Sequence, residues 1–333
     1  MGKLFYGLAS RLVDRLGMEL LPLNNEIAEG WDLPITEFTR SNQFGIIMGH
    51  PNELNQLPAK YRVLYTMYEG SDIPQEWKLD VARAQEVWVP STFCYEVFAP
   101  FNPNTRIVPV GFDEKWYYPS AVDRDRFWLM RGCTDVSQQR IIGTAGVMSK
   151  RKGIDVLVNA FRAAELEDTV LVIKTRDTRW MPNATDKNIL VIDEDWPEQV
   201  MADFYRSIDL FVFPSRGEGI GLPPLESAAC GTPVLVTRAS GPCEYIDDRG
   251  IHGIATSGIT PAVNVIADQC FWFEPSLDDL VDKLKAFVYD PPQVQHGYRQ
   301  HSLGFLADAW EREVLAARRR ASDEHLRHAA SDR

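Results

Sequence analysis

The sequence predicts an α/β protein of two doubly wound domains that split near residue 117. Three observations carry this. Short apolar runs alternate with helix-period stretches along the chain, the pattern of parallel strands joined by covering helices. The stretch 111–120, GFDEKWYYPS, breaks the alternation and reads as a linker. A length of 333 residues suits two domains of ordinary size.

The elements follow in order. Residues 3–6, 45–48, 62–66, 86–89 and 106–108 read as strands, with helical segments at 79–84 and 92–99. After the linker comes a strand at 140–144, a helix at 154–163 and strands at 169–174 and 189–192. A helix at 198–208, a strand at 210–213, a helix at 222–229 and a strand at 233–237 complete the second series. In the helix at 154–163, Val156, Leu157, Ala160 and Phe161 share one face, an apolar stripe. Residues 277–289 and 303–320 read as closing helices, and the Arg- and Ala-rich tail after Arg318 reads as frayed. The expected divisions are a short first domain at 1–117, a full second domain at 118–300, and a C-terminal helix and tail at 301–333. Sheets of this kind bind ligands at the carboxyl ends of their strands, so two facing each other leave a cleft for two substrates.

Charge and composition narrow the function classes. There are 35 Lys+Arg against 47 Asp+Glu, a net charge of -12, and 45% of residues are hydrophobic. That is a globular composition, not that of a disordered or disulfide-stapled chain. Residues 1–117 hold 10 basic and 15 acidic side chains and the remainder 25 and 32, so no cationic domain hides behind the average. A protein living on phosphate-backbone attraction is disfavoured. The five cysteines, Cys94, Cys133, Cys230, Cys243 and Cys270, form no CxxC pair and suggest a reducing compartment. No signal-peptide core and no stretch of 18 or so apolar residues is visible, so the expectation is a cytoplasmic protein without an integral membrane segment.

The most informative segment is 210–236, LFVFPSRGEGIGLPPLESAACGTPVLV. A buried strand runs into a turn with Gly217, Gly219 and Gly221, and a helix starts at Pro223 and Pro224, where proline is tolerated. The free amides of a first helical turn make an anion site, and glycines let backbone come close to a ligand. Glu218 precedes the helix and Glu226 lies inside it. Carboxylates repel phosphate, so here they are better explained as acceptors for sugar hydroxyls.

The spacing Glu218-x7-Glu226, followed by Gly231-Thr232-Pro233-Val234, resembles the signature of the retaining glycosyltransferases of family 4. The resemblance implies a GT-B architecture, two Rossmann-like domains facing a cleft, with a C-terminal helix able to return to the N-terminal domain. It also implies a nucleotide-sugar donor of UDP or GDP type as co-substrate, with no cofactor and no metal. The segment 144–160, TAGVMSKRKGIDVLVNA, resembles the start of the family's donor domain. That puts Lys152 on the donor diphosphate with Arg151 beside it, where a fixed cation stabilises growing leaving-group charge. The family often has Arg directly after the glycine of this loop. Here Gly146 is followed by Val147, and Lys150 or Arg151 is left to replace the contact. YTMYEGSDIP at 65–74, then Trp77 and EVWVPSTF at 86–93, resembles one branch of the family. It places Glu69 at a strand end facing the cleft and Ser91 at a helix N-cap.

The resemblance thus assigns Glu218, Lys152, His50 and Glu69 to the catalytic group. Donor contacts fall to Gly7, Arg151, Lys152, Lys174, Glu218, Gly219, Ile220, Gly221, Leu222 and Glu226. Gly7 enters as the glycine ending the first strand, and Lys174 as a lysine at a strand end. Glu218 would hold the sugar hydroxyls and Glu226 the nucleotide ribose. The family is thought to retain configuration by same-face attack, with the leaving phosphate oxygen taking the acceptor's proton. The acceptor is a hydroxyl on a saccharide, lipid-linked sugar, protein or modified nucleic acid. The short first domain suits a bulky acceptor, modified DNA bases being one version. A nucleotide-sugar epimerase and a non-catalytic sugar-nucleotide binding module are the alternatives. Two DxD sequences, at 193–195 and 123–125, lie outside the motif and are set aside as metal ligands.

Overall fold

The computed structural model describes residues 2–18, 43–133, 135–177, 186–247, 249–263, 270–290, 294 and 298–331. Helix α1 (Gly2–Leu16) opens the chain where a strand is expected at 3–6. Leu8, Leu12 and Leu16 recur every four residues and are buried, so the governing period is helical. A short apolar run read alone does not show that period.

The first sheet follows. Strands β1 (Phe44–Met48) and β2 (Tyr61–Tyr65) pair in parallel. Helix α2 (Gln75–Arg83), β3 (Glu86–Val89), α3 (Thr92–Phe98) and β4 (Thr105–Ile107) complete it, with the four strands in chain order. One face packs Leu54, Leu64, Ile73, Val81 and Phe98 into a core of its own. The strands are mostly apolar on both faces, as in a sheet covered on both sides.

After the irregular linker come α4 (Arg124–Leu129), β5 (Arg140–Ala145), α5 (Ile154–Ala164), β6 (Thr169–Thr175) and β7 (Ile189–Asp193). Then come α6 (Glu198–Ser207), β8 (Leu210–Phe213), α7 (Leu222–Ala229), β9 (Val234–Thr237) and β10 (Ile251–Ile254). Strand order is β10-β9-β8-β5-β6-β7, all parallel. The order reverses between β5 and β8, and a crevice at the carboxyl ends of those two strands is where this topology binds ligands. An antiparallel hairpin, β11 (Thr256–Pro261) and β12 (Phe271–Pro275), precedes α8 (Leu277–Tyr289). Helix α4, β10 and the hairpin are additions to the sequence expectation.

The last helix, α9 (Leu303–Ser331), runs well past Arg318, where a frayed tail is expected. Its far half has partners: Ala317 and Ala321 are buried, and Arg320 Nε sits 2.6 Å from Glu86 Oε1 on β3. Trp310 is fully buried, 4.9 Å from the Tyr65 ring and 5.7 Å from the Trp88 ring. The C-terminal helix therefore returns to cover the first sheet. Across the linker, Arg206 of α6 donates to the carbonyls of Trp116 at 2.7 Å and Tyr118 at 2.9 Å.

Candidate active site

Two loops meet at the reversal point. The loop after β5 carries the turn Lys150–Lys152, and the loop after β8 runs through 214–221 into α7. Their contact depends on Gly153, whose φ is 67° and where a Cβ would lie 2.0 Å from the Pro214 carbonyl oxygen. Gly221, with φ 74°, makes the left-handed step into α7.

The charged centre forms where these loops touch. Lys152 Nζ lies 2.6 Å from Glu218 Oε1, and Arg151 Nη1 lies 2.9 Å from the same oxygen. Arg151 also donates to the Gly217 carbonyl at 2.7 Å, and the Ser215 hydroxyl donates to Glu218. The Lys152 ammonium stands 4.6 Å from the Phe213 ring centre. Burial alone would raise the Glu218 pKa, but Arg151 and Lys152 outweigh it and hold the carboxyl at about 2. Burial lowers the Lys152 pKa, Arg151 pushes it further down, and Glu218 restores only part. Two cations therefore share one buried carboxylate, beside a glycine turn that leads into a helix N-terminus.

From the first domain, Glu69 Oε1 approaches Arg151 Nη2 to 3.7 Å, so the structure brings Glu69, Arg151, Lys152 and Glu218 together. Of the two cations near Val147, Arg151 faces the cluster, whereas Lys150 is exposed, as is Val147. Behind the cluster sits Arg216. Its guanidinium is 3% exposed and pairs with Asp155 at 2.8 Å and Glu274 at 2.7 Å. It locks the 214–221 loop to α5 and β12.

Glu226 is in a different environment. It accepts from the Tyr205 hydroxyl at 3.0 Å, and burial together with the nearby Glu198 charge raises its pKa to about 8. Tyr117 of the linker donates to Glu198. Lys174, at the end of β6, is buried 5.3 Å from the Trp196 ring, and burial lowers its pKa. Its carbonyl accepts from the Gly146 amide at 3.1 Å, so it borders the β5 loop without joining the Glu218 cluster.

His50 is exposed at the start of the turn Pro51–Gln56, its ring 5.3 Å from Trp77, and it too lies outside the cluster. Gly7 needs correction. It ends no strand but lies within α1, where a methyl group would come within 3.1 Å of Leu303 and 3.4 Å of Asp113. Gly7 is therefore not a strand-end glycine that lets backbone approach a donor phosphate. Sequence reading missed Ser215, Arg216 and the cross-domain contacts of Ser91. The neighbouring Glu218 hints at Ser215, but Arg216 is known only once Glu274 is placed beside it.

Residues 139–268 match the family model described as glycosyl transferases group 1. The matched segment contains the whole charged centre except Glu69. The chain is 28% identical over 223 residues to a D-inositol 3-phosphate glycosyltransferase of Acidothermus cellulolyticus, covering 57% of this chain and 48% of that protein. A relative of the same name from Corynebacterium jeikeium is 29% identical over 174 residues, 47% of this chain and 41% of its own. The chain thus spans about half or less of these relatives. Among solved structures, the Anabaena protein HepE in complex with UDP and glucose superimposes with a TM-score of 0.68 at 15% identity, covering 95% of each chain. A glycosyltransferase of Rickettsia africae gives 0.69 at 14% identity over 96% of this chain and 94% of that one. These likenesses extend over both domains and carry the GT-B fold beyond the matched segment. No helix among the described residues is long and apolar enough to cross a membrane.

Proposed function

We propose that the protein is a retaining glycosyltransferase that moves a sugar from a nucleotide-sugar donor to a hydroxyl acceptor. The observation that carries this is the pairing of Lys152 and Arg151 on Glu218 at the reversal point of a parallel sheet, beside a glycine turn opening a helix. A nucleoside diphosphate brings the negative charge that two cations held by one carboxylate can share. As the glycosidic bond breaks, negative charge grows on the leaving phosphate oxygen, and Lys152 stabilises it. Glu218, released from part of its pairing, takes the sugar hydroxyls. The amides of Gly219, Ile220, Gly221 and Leu222 face the sugar and phosphate. Glu226 serves the ribose hydroxyls.

The acceptor hydroxyl approaches on the face that the leaving group quits, and its proton passes to the phosphate oxygen. Glu69, half-buried at the edge of the first domain and tied to Arg151, orients the acceptor. The positive charge for this step comes from Lys152 and Arg151 without a metal. The names of the relatives make D-inositol 3-phosphate a sensible first acceptor, and the HepE complex with UDP-glucose makes that a sensible first donor.

The test is a panel of UDP- and GDP-sugars with and without that acceptor and simple saccharides, in the presence of chelator. Nucleotide release from one donor, with product of retained anomeric configuration, supports the reading. Interconversion of the donor would make the protein an epimerase. Thermal stabilisation by a donor without turnover would make it a binding module.

A further inference from the structure

Ser91 belongs to the first domain and is fully buried. It caps α3, its Oγ accepting the Cys94 amide at 3.2 Å. The same Oγ donates to the carbonyl of Gly219 at 2.6 Å, across the cleft in the second domain. The Cys94 thiol contacts that carbonyl too, at 3.5 Å. Neighbouring carbonyls of the turn are held from within the second domain. Arg151 takes that of Gly217 at 2.7 Å, the Gly241 amide that of Glu218 at 3.0 Å, and the Tyr245 hydroxyl that of Gly221 at 2.6 Å. The Gly219 carbonyl of this turn is instead held by side chains of the first domain, Ser91 and Cys94. The surfaces are tight there, since a Cβ on Gly219 would lie 2.8 Å from Met67 Cβ.

The described peptide bonds are trans. In a trans peptide the carbonyl and the next amide point in opposite directions. A hydroxyl that draws the Gly219 carbonyl toward the first domain therefore sets the direction of the Ile220 amide, on the approach to α7.

We propose that Ser91 is a positioning residue for donor binding, which orients the Ile220 amide only while the two domains are docked. The acceptor-side domain thereby completes the donor cradle. The idea rests on reading the 214–221 turn as that cradle, and its test separates the two.

Ser91→Ala, Ser91→Cys and Ser91→Thr would be made in the full chain. Amide hydrogen exchange would be followed without ligand, and donor kinetics with UDP-glucose and GDP-mannose. Ser91→Ala leaves the buried Gly219 carbonyl without its hydroxyl donor, so exchange across 217–222 should rise about tenfold. The donor KM should rise by a similar factor, with a smaller change in kcat. Ser91→Thr, which keeps both cap and donor, should match wild type. Ser91→Cys, of similar shape with a weaker donor, should fall between, and it decides the matter if the alanine variant does not fold. Faster exchange confined to 92–98 would make Ser91 a helix cap only and overturn the proposal. So would a lowered melting temperature with unchanged exchange at 217–222. If wild type turns over no donor, the transferase reading fails while the exchange result still decides whether Ser91 orients the turn.

Discussion

Lys152 Nζ and Glu218 Oε1 are 2.6 Å apart, with Arg151 on the same oxygen. The carboxylate thus stands where an anionic ligand would compete for both cations. Replacing it by Glu218→Gln leaves two partly buried cations short of their buried partner, a loss of about 3 kcal/mol for a broken buried pair. A nucleoside diphosphate would relieve that deficit. The variant should therefore melt lower than wild type without ligand, yet gain more in melting temperature on adding UDP or GDP. A smaller ligand-induced shift than wild type would show that Glu218 does not compete with the diphosphate.

In the proposed reaction Lys152 is the cation that meets leaving-group charge. Lys152→Ala should lower kcat on the order of 10²-fold, the scale of losing one transition-state donor. Lys152→Arg should recover part of it. Wild-type turnover in the alanine variant, with hydrolysis and transfer both measured, would remove Lys152 from the mechanism.

The two glutamates of the motif predict opposite pH behaviour. Glu218 sits at about 2 when folded, below its ordinary value near 4.5, so its contribution is present above pH 4.5. That contribution is lost as pH falls toward 2. Glu226 sits at about 8 when folded. Between its ordinary value and 8 the folded protein keeps a proton that the unfolded chain has lost, so stability declines as pH rises through that window. Urea midpoints at pH 5 and pH 8 should show a decline in wild type that is smaller in Glu226→Gln. Equal declines in the two proteins would place the Glu226 pKa near its ordinary value.

Most of the second domain was readable because its signals are local. Each strand is one apolar run, and the glycines, prolines and glutamates of 214–226 lie within a few residues of one another. The failures are of two kinds. At 3–6 a short apolar run looks the same in a strand and a helix, and only the longer spacing Leu8, Leu12, Leu16 resolves it. The exposed strand β11, Thr256–Pro261, lacks a buried face to leave a pattern. Arg216 and Ser91 are the second kind. Their roles come from Glu274 and Gly219, partners 58 and 128 residues away, which no local window connects.

Arg216 shows what such a partner is worth. With its guanidinium held between Asp155 and Glu274, Arg216→Leu would leave the two carboxylates facing each other across the loop. A loss of about 1–3 kcal/mol follows from the lost charged hydrogen bonds, since Asp155 and Glu274 stay partly solvated. Glu274 is on β12, so the damage should loosen the hairpin as well as the Lys150–Lys152 turn. Arg216→Lys should not rescue fully, since an ammonium cannot make two bidentate pairs. Urea denaturation of the three proteins checks this, and a lysine variant as stable as wild type would argue against the bidentate geometry.

Trp310 tests whether α9 is part of the first domain's core. Its ring is fully buried against Tyr65 and Trp88, and its Nε1 donates to the Pro109 carbonyl at 2.7 Å. Trp310→Ala would open a large cavity and leave that carbonyl unpaired, at a cost of about 3–5 kcal/mol. Trp310→Phe keeps most of the apolar contact but loses the hydrogen bond, so it should cost about 1–3 kcal/mol. The cavity borders the first sheet rather than the Lys152–Glu218 cluster. Nucleotide affinity of the folded fraction should therefore stay within about twofold of wild type, while the midpoint of unfolding drops. A Trp310→Ala protein of unchanged stability would mean that α9 does not cover the first sheet in solution, and the return of the C-terminal helix would have to be abandoned.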